Sequence, residues 1–166
     1  AMVGAAPASA LDLALEQMGR SQHHLLEELL ALQIEHPNAI HAATDITGFG
    51  LLGHLSEMLR HPALKVVLSG PEIPALPGAL SLLANGYASS LAPANRRAWS
   101  LMDKGSVDLQ LAGIDSGNKE HQALLELLVD PQTCGPLLIS VQADIAHQLT
   151  SQPQSPWTDI GNVQQR

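Results

Sequence analysis

Apolar residues recur at helical spacing early in the chain and in four shorter segments further on. The leucine-rich segment from Ala8 to Gln33 predicts one long helix, bent near Gly19 and ended by the following His-Pro-Asn. The segment directly before Gly86 has the pattern of a much shorter helix, which this glycine ends. In chain order, the shorter predicted helices cover residues 51–59, 79–86, 121–129 and 143–149.

Runs of small or β-branched residues between these helices predict strands. They lie at residues 39–43, interpreted as a short buried strand, and at 65–69, 137–141 and 158–163. The segment from Tyr87 to Gly117 is expected to carry loops, with a possible strand at 107–113, and the prolines after Gly70 predict an extended loop. Because helices and strands interleave, we expect an α+β fold with a mixed β-sheet flanked by helices.

The length of 166 residues and the 45% of hydrophobic residues suit one domain with a substantial core. We expect residues 1–7 to be a linker or cloning remnant and residues 8–166 to form a single domain. The net charge of −8 and the 2% of aromatic residues argue against a nucleic-acid surface. No run of eighteen apolar residues and no signal-peptide pattern is visible, so no membrane partner and a cytoplasmic location are expected.

The segment HAATDITGFGLLGHL, from His41 to Leu55, combines an acidic residue with three glycines where a strand gives way to a helix. A helix start leaves backbone N–H groups free and favours anions, and glycines let phosphate oxygens approach the backbone. Asp45 would repel a bare phosphate but could hold Mg²⁺, which bridges carboxylates to nucleotide phosphates. The pattern therefore suits a metal-phosphate site.

Two other interpretations of this segment remain. Gly48, Gly50 and Gly53 spell the GxGxxG of dinucleotide-binding turns, and Glu72 lies near the distance at which such turns have an acidic residue. Asp45 and Thr47 would then face the pyrophosphate, which disfavours that reading. Alternatively the glycines only permit a tight turn, with the two polar residues as caps, and from spacing alone this is as well supported as a phosphate role.

The other polar residues predict structural roles. His23 and His24 are adjacent, and His54 and His61 lie about two turns apart, so neither pair has a standard zinc spacing. His54 is expected to pack or hydrogen-bond near the glycine turn. Arg96 and Arg97 are expected to form a surface pair, and Asp130 to cap or turn the chain before the strand at 137–141.

Two segments in the same order resemble selenophosphate synthetases (selenide, water dikinases). HAATDITGFGLLGHLSEML is similar to their DVTGFG region and VDPQTCGPLLISV to their DPQTSGGLL segment, with weaker support from EIPALPG, APANRR and the terminal DIGNV. The resemblance covers nearly the whole chain but only the carboxy-terminal half of that enzyme. It implies a fold similar to the carboxy-terminal domain of aminoimidazole ribonucleotide synthetase.

The resemblance implies an ATP-dependent enzyme that makes selenophosphate from selenide, ATP and water. Asp45 matches the family aspartate that holds Mg²⁺ on the ATP phosphates, and Thr47, Gly48 and Gly50 would shape the turn that presents it. The reactive Cys or selenocysteine, its Lys and most nucleotide-binding groups of the family lie in the amino-terminal domain. No catalytic residue is therefore predicted in this chain, which should be inactive without that domain, and the complete protein is expected to be a homodimer.

Cys134 and Pro136 depart from the family pattern. Cys134 stands where the family has Ser, so a small residue in a tight turn is favoured over a nucleophile, and the lone cysteine cannot form an internal disulfide. Pro136 replaces a glycine and removes a backbone N–H. These departures leave open a non-catalytic scaffold or interaction module of a larger fusion. Another ATP-dependent enzyme of the superfamily, such as a purine-pathway synthetase or thiamine-phosphate kinase, is a further alternative.

Overall fold

A computed structural model describes residues 4–59, 61–102, 105–110 and 117–166. Helices and strands alternate through these residues. The helices are α1 Ala8–Gly19, α2 His23–Glu35, α3 Gly50–Met58, α4 Ala79–Ala84, α5 Ala92–Met102, α6 Lys119–Val129 and α7 Ala143–Thr150. The strands are β1 Ile40–Asp45, β2 Leu64–Ser69, β3 Val107–Gln110, β4 Leu137–Val141 and β5 Gly161–Gln165.

The strands divide between two sheets. β1 and β4 form an antiparallel pair in which Asp45 lies opposite Leu137. In the other sheet β2 is central, parallel to β3 and antiparallel to β5, so this sheet is mixed. The predicted α+β class with a mixed sheet and flanking helices is confirmed, and the pairing of β1 with β4 brings the two motif segments of the sequence together.

The larger core lies where α3 and α6 pack beside β2. Leu52, Leu68 and Leu128 are among its most buried members. A second cluster joins Leu32 and Ala39 to the apolar face of α7. Burial of such side chains contributes about 1.5–3 kcal/mol each, and because residues Gly50 to Leu55 are all buried, α3 is held firmly through its first turns. Its position fixes the turn that precedes it.

The amino-terminal helix differs from the prediction. The segment predicted as one bent helix is two helices, because Arg20 takes an extended conformation with φ −78° and ψ 126°. The break does fall directly after Gly19. α1 buries none of its residues, whereas α2 buries Leu29 and Leu32. The periodic pattern continued across the break and so did not reveal it.

The loop prediction for Tyr87 to Gly117 is wrong over its first half, where α5 forms. Ser89 begins the helical region by accepting a hydrogen bond from the Leu91 backbone N–H at 3.2 Å. Pro93 falls in the first turn, where proline is tolerated, and Trp99 packs against the larger core. The possible strand is confirmed at Val107–Gln110, while residues 111–116 lie outside the described part of the chain.

Most other element predictions hold with shifted ends. α4 ends as expected: Gly86, at φ 83°, and Tyr87 donate to the carbonyls of Leu83 and Leu82 in a Schellman motif. The strand expected at 39–43 is β1, which alternates partly buried and exposed residues rather than being buried throughout. A short 3₁₀ turn, Gly70–Glu72, starts the loop that was expected to be extended.

The closing strand runs from Gly161, three residues later than expected. The described helices include none that is long and apolar enough to span a membrane.

Candidate functional site

Asp45 is the last residue of β1, and its side chain is exposed. Successive strand residues point to opposite faces, so the residue before Asp45 is partly buried, and the next residue, Ile46, enters the larger core. The backbone N–H of Ile46 donates to the Pro136 carbonyl at 3.0 Å, which continues the β1–β4 pairing by one step. The carboxylate is thus presented to solvent from a firmly held strand end.

The turn after Asp45 is braced by the carbonyl of Thr47. This oxygen accepts from the backbone N–H of Gly50, closing the turn at 3.0 Å, and from the backbone N–H of Gln132, also at 3.0 Å. The second bond joins the turn to the loop between α6 and β4. The two segments that were singled out in the sequence therefore form one connected structure.

Two of the three glycines are required by close packing. Gly50 has φ +68°, and a Cβ there would lie 2.8 Å from the carbonyl carbon of Val129 at the end of α6. A Cβ at Gly53 would lie 2.5 Å from Cβ of Phe49. Gly48 is exposed and has open space around the position of a Cβ. Packing against α6 thus accounts for Gly50, whereas Gly48 is left without a steric requirement.

The arrangement excludes the dinucleotide reading of these glycines. A Rossmann unit needs the strand before the turn and the strand after the helix to lie parallel in one sheet. Here β1 pairs antiparallel with β4, and β2 belongs to the other sheet. The GxGxxG match is therefore not a dinucleotide-binding fingerprint, and packing accounts for Gly50 and Gly53 in it.

His54 lies under the turn. Its side chain is polar and yet buried, with 7% of the residue's surface exposed. Its Nε2 is 3.1 Å from Oγ1 of Thr47, and its Nδ1 is 3.5 Å from Oε2 of Glu57. The Phe49 ring covers it at a centroid distance of 5.7 Å. The expectation that His54 bonds near the turn is confirmed.

Asn95 ties the turn to two helices, a role that the sequence did not reveal. Its side-chain Nδ2 donates to the Gly48 carbonyl at 2.8 Å and to the Val129 carbonyl at 3.0 Å. One amide group on α5 therefore holds both the turn and the carboxyl end of α6. The position of Asn95 within APANRR was visible, but nothing in the spacing identified its partners.

The loop VDPQTCGP faces the turn from the other side. Asp130 follows α6 with an extended backbone, as expected of a residue that turns the chain. Burial raises the pKa of its carboxyl above the ordinary value, and a hydrogen bond from Nε2 of Gln132 at 3.1 Å opposes the rise. Gln132 thus bonds within this loop through its side chain and to the glycine turn through its backbone.

Cys134 is exposed and has φ 56°, and the buried residue Gly135 follows it. A left-handed conformation at a non-glycine residue is typical of a tight turn, which agrees with the structural interpretation of this cysteine. The Gly135 carbonyl accepts from Nε2 of Gln22 at 2.7 Å, so the loop is also tied to the start of α2.

The remaining predicted polar residues take structural positions. Arg96 forms an ion pair with Glu126 across α5 and α6, while Arg97 is exposed. His23 lies 3.4 Å from Glu27 on the same helix, and His61 accepts from the backbone N–H of Ala63. None of these contacts brings a further charged side chain to Asp45.

Asp45 is suited to Mg²⁺ as one ligand of several. It offers a hard, exposed oxygen donor, as Mg²⁺ prefers. Among the described residues, however, no group of three or more His, Cys, Asp or Glu side chains could hold a metal ion. A lone carboxylate is compatible with Mg²⁺, which is often bound through one or two carboxylates, and it does not fit a closed site of zinc type.

The α+β fold agrees with what comparisons with known proteins find. The family model described as "AIR synthase related protein, C-terminal domain" matches residues 8–166. The chain belongs to this family of carboxy-terminal domains.

Curated relatives are selenide, water dikinases. That of Pseudomonas straminea is 37% identical over 112 residues, covering 68% of this chain and 28% of the relative. That of Clostridioides difficile is 31% identical over 149 residues, covering 84% of this chain and 39% of the relative. That of Agathobacter rectalis is 33% identical over 144 residues, covering 87% of this chain and 37% of the relative. The chain thus spans well under half the length of these relatives. The resemblance to a selenophosphate synthetase carboxy-terminal domain is confirmed.

Proposed function

We propose that this chain is the carboxy-terminal part of an ATP-dependent selenophosphate synthetase, which converts selenide, ATP and water into selenophosphate, AMP and phosphate. In this role it supplies Asp45 as a ligand of Mg²⁺ on the nucleotide phosphates. It also provides one wall of the cleft through the turn Thr47 to Gly50. The similarity to the selenide, water dikinases supports the reaction, and the exposed carboxylate on a braced strand end supports the part played by Asp45.

The main support for this proposal is the contrast between the exposed carboxylate of Asp45 and the firmly held backbone that follows it. The backbone after it is held by bonds from Gly50, Gln132 and Asn95, yet the carboxylate itself is exposed. A carboxylate kept in one place and left open to solvent is suited to a ligand that arrives from outside. Magnesium, when bound, neutralises phosphate charge and orients the transferred group.

In this proposal the residues of this chain bind and position the metal and its nucleotide, and the reactive groups lie in the amino-terminal domain. Asp45 would hold the metal, and the Thr47 turn would keep that carboxylate at a fixed distance from α3. A single carboxylate does not hold Mg²⁺ and a nucleotide tightly, because Mg²⁺ needs six oxygen ligands and retains water readily. The isolated chain is therefore inactive in this proposal, and an amino-terminal ATP-binding domain completes the site.

A second candidate is an interaction module within a larger protein. α1 has no buried residue, and large apolar side chains on α1 and α2 are exposed: Leu11, Leu13, Leu15, Met18, Leu26, Leu30 and Ile34. A short helix with so little burial is marginal unless another surface covers it. Contact with another domain would supply that cover in the synthetase as well, so this feature alone does not favour the scaffold role.

Reading the gene upstream of Ala1 and assaying the complete polypeptide tests the proposal. We expect an upstream ATP-binding domain with a glycine-rich loop that carries Cys or selenocysteine and Lys. The purified protein should release AMP and phosphate from ATP only when selenide and Mg²⁺ are both present. A polypeptide without such a domain, or ATP consumption that ignores selenide, would refute the synthetase assignment and favour the scaffold or another enzyme of the superfamily.

A further inference from the structure

The buried imidazole of His54 lies between a carboxylate and a hydroxyl. Its Nε2 is 3.1 Å from Oγ1 of Thr47, and its Nδ1 is 3.5 Å from Oε2 of Glu57. Nδ1 is inaccessible to solvent and makes no hydrogen bond to the described residues, and the Glu57 carboxylate lies close enough to act on it electrostatically. Two ring nitrogens with different neighbours are expected to favour one tautomer.

The neighbour of Nδ1 decides which nitrogen carries the proton. A lone pair on the buried Nδ1 would lie 3.5 Å from the negative Oε2 of Glu57, and the repulsion would be unfavourable although solvent reaches the carboxylate. A proton on Nδ1 would instead be attracted to that oxygen. This attraction favours the tautomer of neutral His54 with the proton on Nδ1 and the lone pair on Nε2.

The tautomer of His54 fixes the direction of the hydrogen bond to Thr47. In that tautomer Nε2 can only accept, so the Thr47 O–H donates to it and its single proton is used there. The remaining lone pairs on Oγ1 are left as acceptors. Thr47 is partly exposed and lies two residues after Asp45, so these lone pairs are available to a ligand at the turn.

We propose that His54 is a positioning residue that makes the Thr47 hydroxyl a hydrogen-bond acceptor, suited to a hydrated divalent cation and unsuited to a phosphate oxygen. Phosphate oxygens are acceptors and need a donor, whereas metal-bound water donates. Glu57, His54 and Thr47 thus select the kind of group that the turn accepts. The part concerning the cation rests on the function proposed above, while the tautomer does not.

The tautomer is measured by two-bond ¹⁵N–¹H correlation spectra of the histidine rings in the ¹⁵N-labelled chain without any ligand, at about pH 9, where an unperturbed imidazole is neutral. The signals of His54 are those missing from His54→Gln. We expect a protonated Nδ1 and an unprotonated Nε2. A proton on Nε2, or on both nitrogens, would overturn the proposal, because the Thr47 hydroxyl would then have to accept.

Charge reversal gives a second test. Glu57 is exposed on α3, so Glu57→Lys should fold, and a cation beside Nδ1 should move the proton to Nε2. Glu35→Lys, at the exposed carboxyl end of α2, is the matched control and should leave the His54 tautomer unchanged. If Glu57→Lys retains the original tautomer in a folded chain, the carboxylate does not set it.

The choice of ligand is tested in the complete polypeptide by titrating Mg²⁺ and ATP separately. Thr47→Val should raise the Mg²⁺ concentration that gives half-maximal rate by about 10-fold, which is the usual scale when a group that supports the metal's own ligands is lost. The ATP concentration that gives half-maximal rate should change little. Thr47→Ser, which keeps a hydroxyl at this position, should need a Mg²⁺ concentration close to that of the wild type. A rise in the ATP requirement alone would show a phosphate contact and contradict the proposal. Failure of the wild-type protein to use selenide would refute the proposed function but not the tautomer.

Discussion

Gly135 lies so close to the carbonyl of Ile46 that a Cβ at position 135 would be 2.0 Å from that oxygen. This contact joins the loop VDPQTCGP to the residue after Asp45. The added Cβ would be fixed to the backbone of residue 135 and would meet the backbone of Ile46, so no flexible side chain could move to relieve the clash. The close approach of two loops, rather than the glycine turn alone, therefore sets where the strand ends and where Asp45 is presented.

Gly135→Ala is expected to be strongly destabilising. Separating the two loops would break the hydrogen bond from Ile46 to Pro136 and disturb the bond from Gln132 to Thr47, so we expect a loss of about 2–4 kcal/mol in the free energy of unfolding. Urea titration followed by circular dichroism measures it. Gly48→Ala is the matched control, because nothing lies within 4 Å of its added Cβ, and it should change stability by about 0.5 kcal/mol or less. Equal losses in the two variants would contradict this account.

Asn95→Ala should destabilise the turn. The variant leaves the carbonyls of Gly48 and Val129 without their shared donor, which is expected to cost about 1–3 kcal/mol. Asn85→Ala removes one exposed bond within a single helical turn and serves as the control, with a loss well below that of Asn95→Ala. Thermal unfolding of the two variants compares them directly. A smaller loss at Asn95 than at Asn85 would show that the bridge between α5 and α6 is unimportant.

Burial of Asp130 predicts a pH-dependent effect on stability. Because its pKa is raised in the folded chain, the folded state binds a proton more readily than the unfolded state. The favourable contribution is full below the ordinary pKa of 3.8 and is lost as the pH rises through the raised value. Asp130→Asn, which keeps an oxygen for Gln132, should therefore gain stability relative to the wild type as the pH rises toward neutral. A constant difference between the two proteins across the pH range would argue against a raised pKa.

The isolated chain is expected to bind Mg²⁺-ATP weakly or not at all. Asp45 is the carboxylate that the turn presents, and no cluster of metal-binding side chains is found among the described residues. Isothermal calorimetry with ATP and excess Mg²⁺ should show no micromolar affinity. Heat that fits a micromolar dissociation constant would mean that this chain alone holds the nucleotide, contrary to the proposed division of the site.

The sequence predicted the elements whose patterns are local. The strand at Leu137–Val141 and the start of α3 after the glycine turn follow from residue type and periodicity, and the short helix before Gly86 follows from its stop signal. The break after Gly19 was indicated only as a bend, because the leucine pattern continues on both sides of it. These elements depend little on residues far away in the chain.

The contacts that organise the site could not be predicted in the same way. Asn95 contacts Gly48 and Val129, which lie 47 and 34 residues away, and the bond from Gln132 to Thr47 is similarly remote. Such pairs depend on how α5 and α6 pack, and no periodicity encodes them. The family resemblance located the two segments, but only their geometry shows that one braces the other.

The metal role of Asp45 is the central claim, and the rate of selenide-dependent ATP consumption by the complete polypeptide tests it most directly. Asp45→Asn keeps the size of the side chain and removes its charge, so the rate should fall by at least about 100-fold at a fixed Mg²⁺ concentration. Asp12→Asn on the exposed helix α1 and Cys134→Ser should both retain most of the activity. An active Asp45→Asn protein together with an inactive Cys134→Ser protein would contradict the account, since it would make the cysteine the functional residue and the carboxylate a structural one.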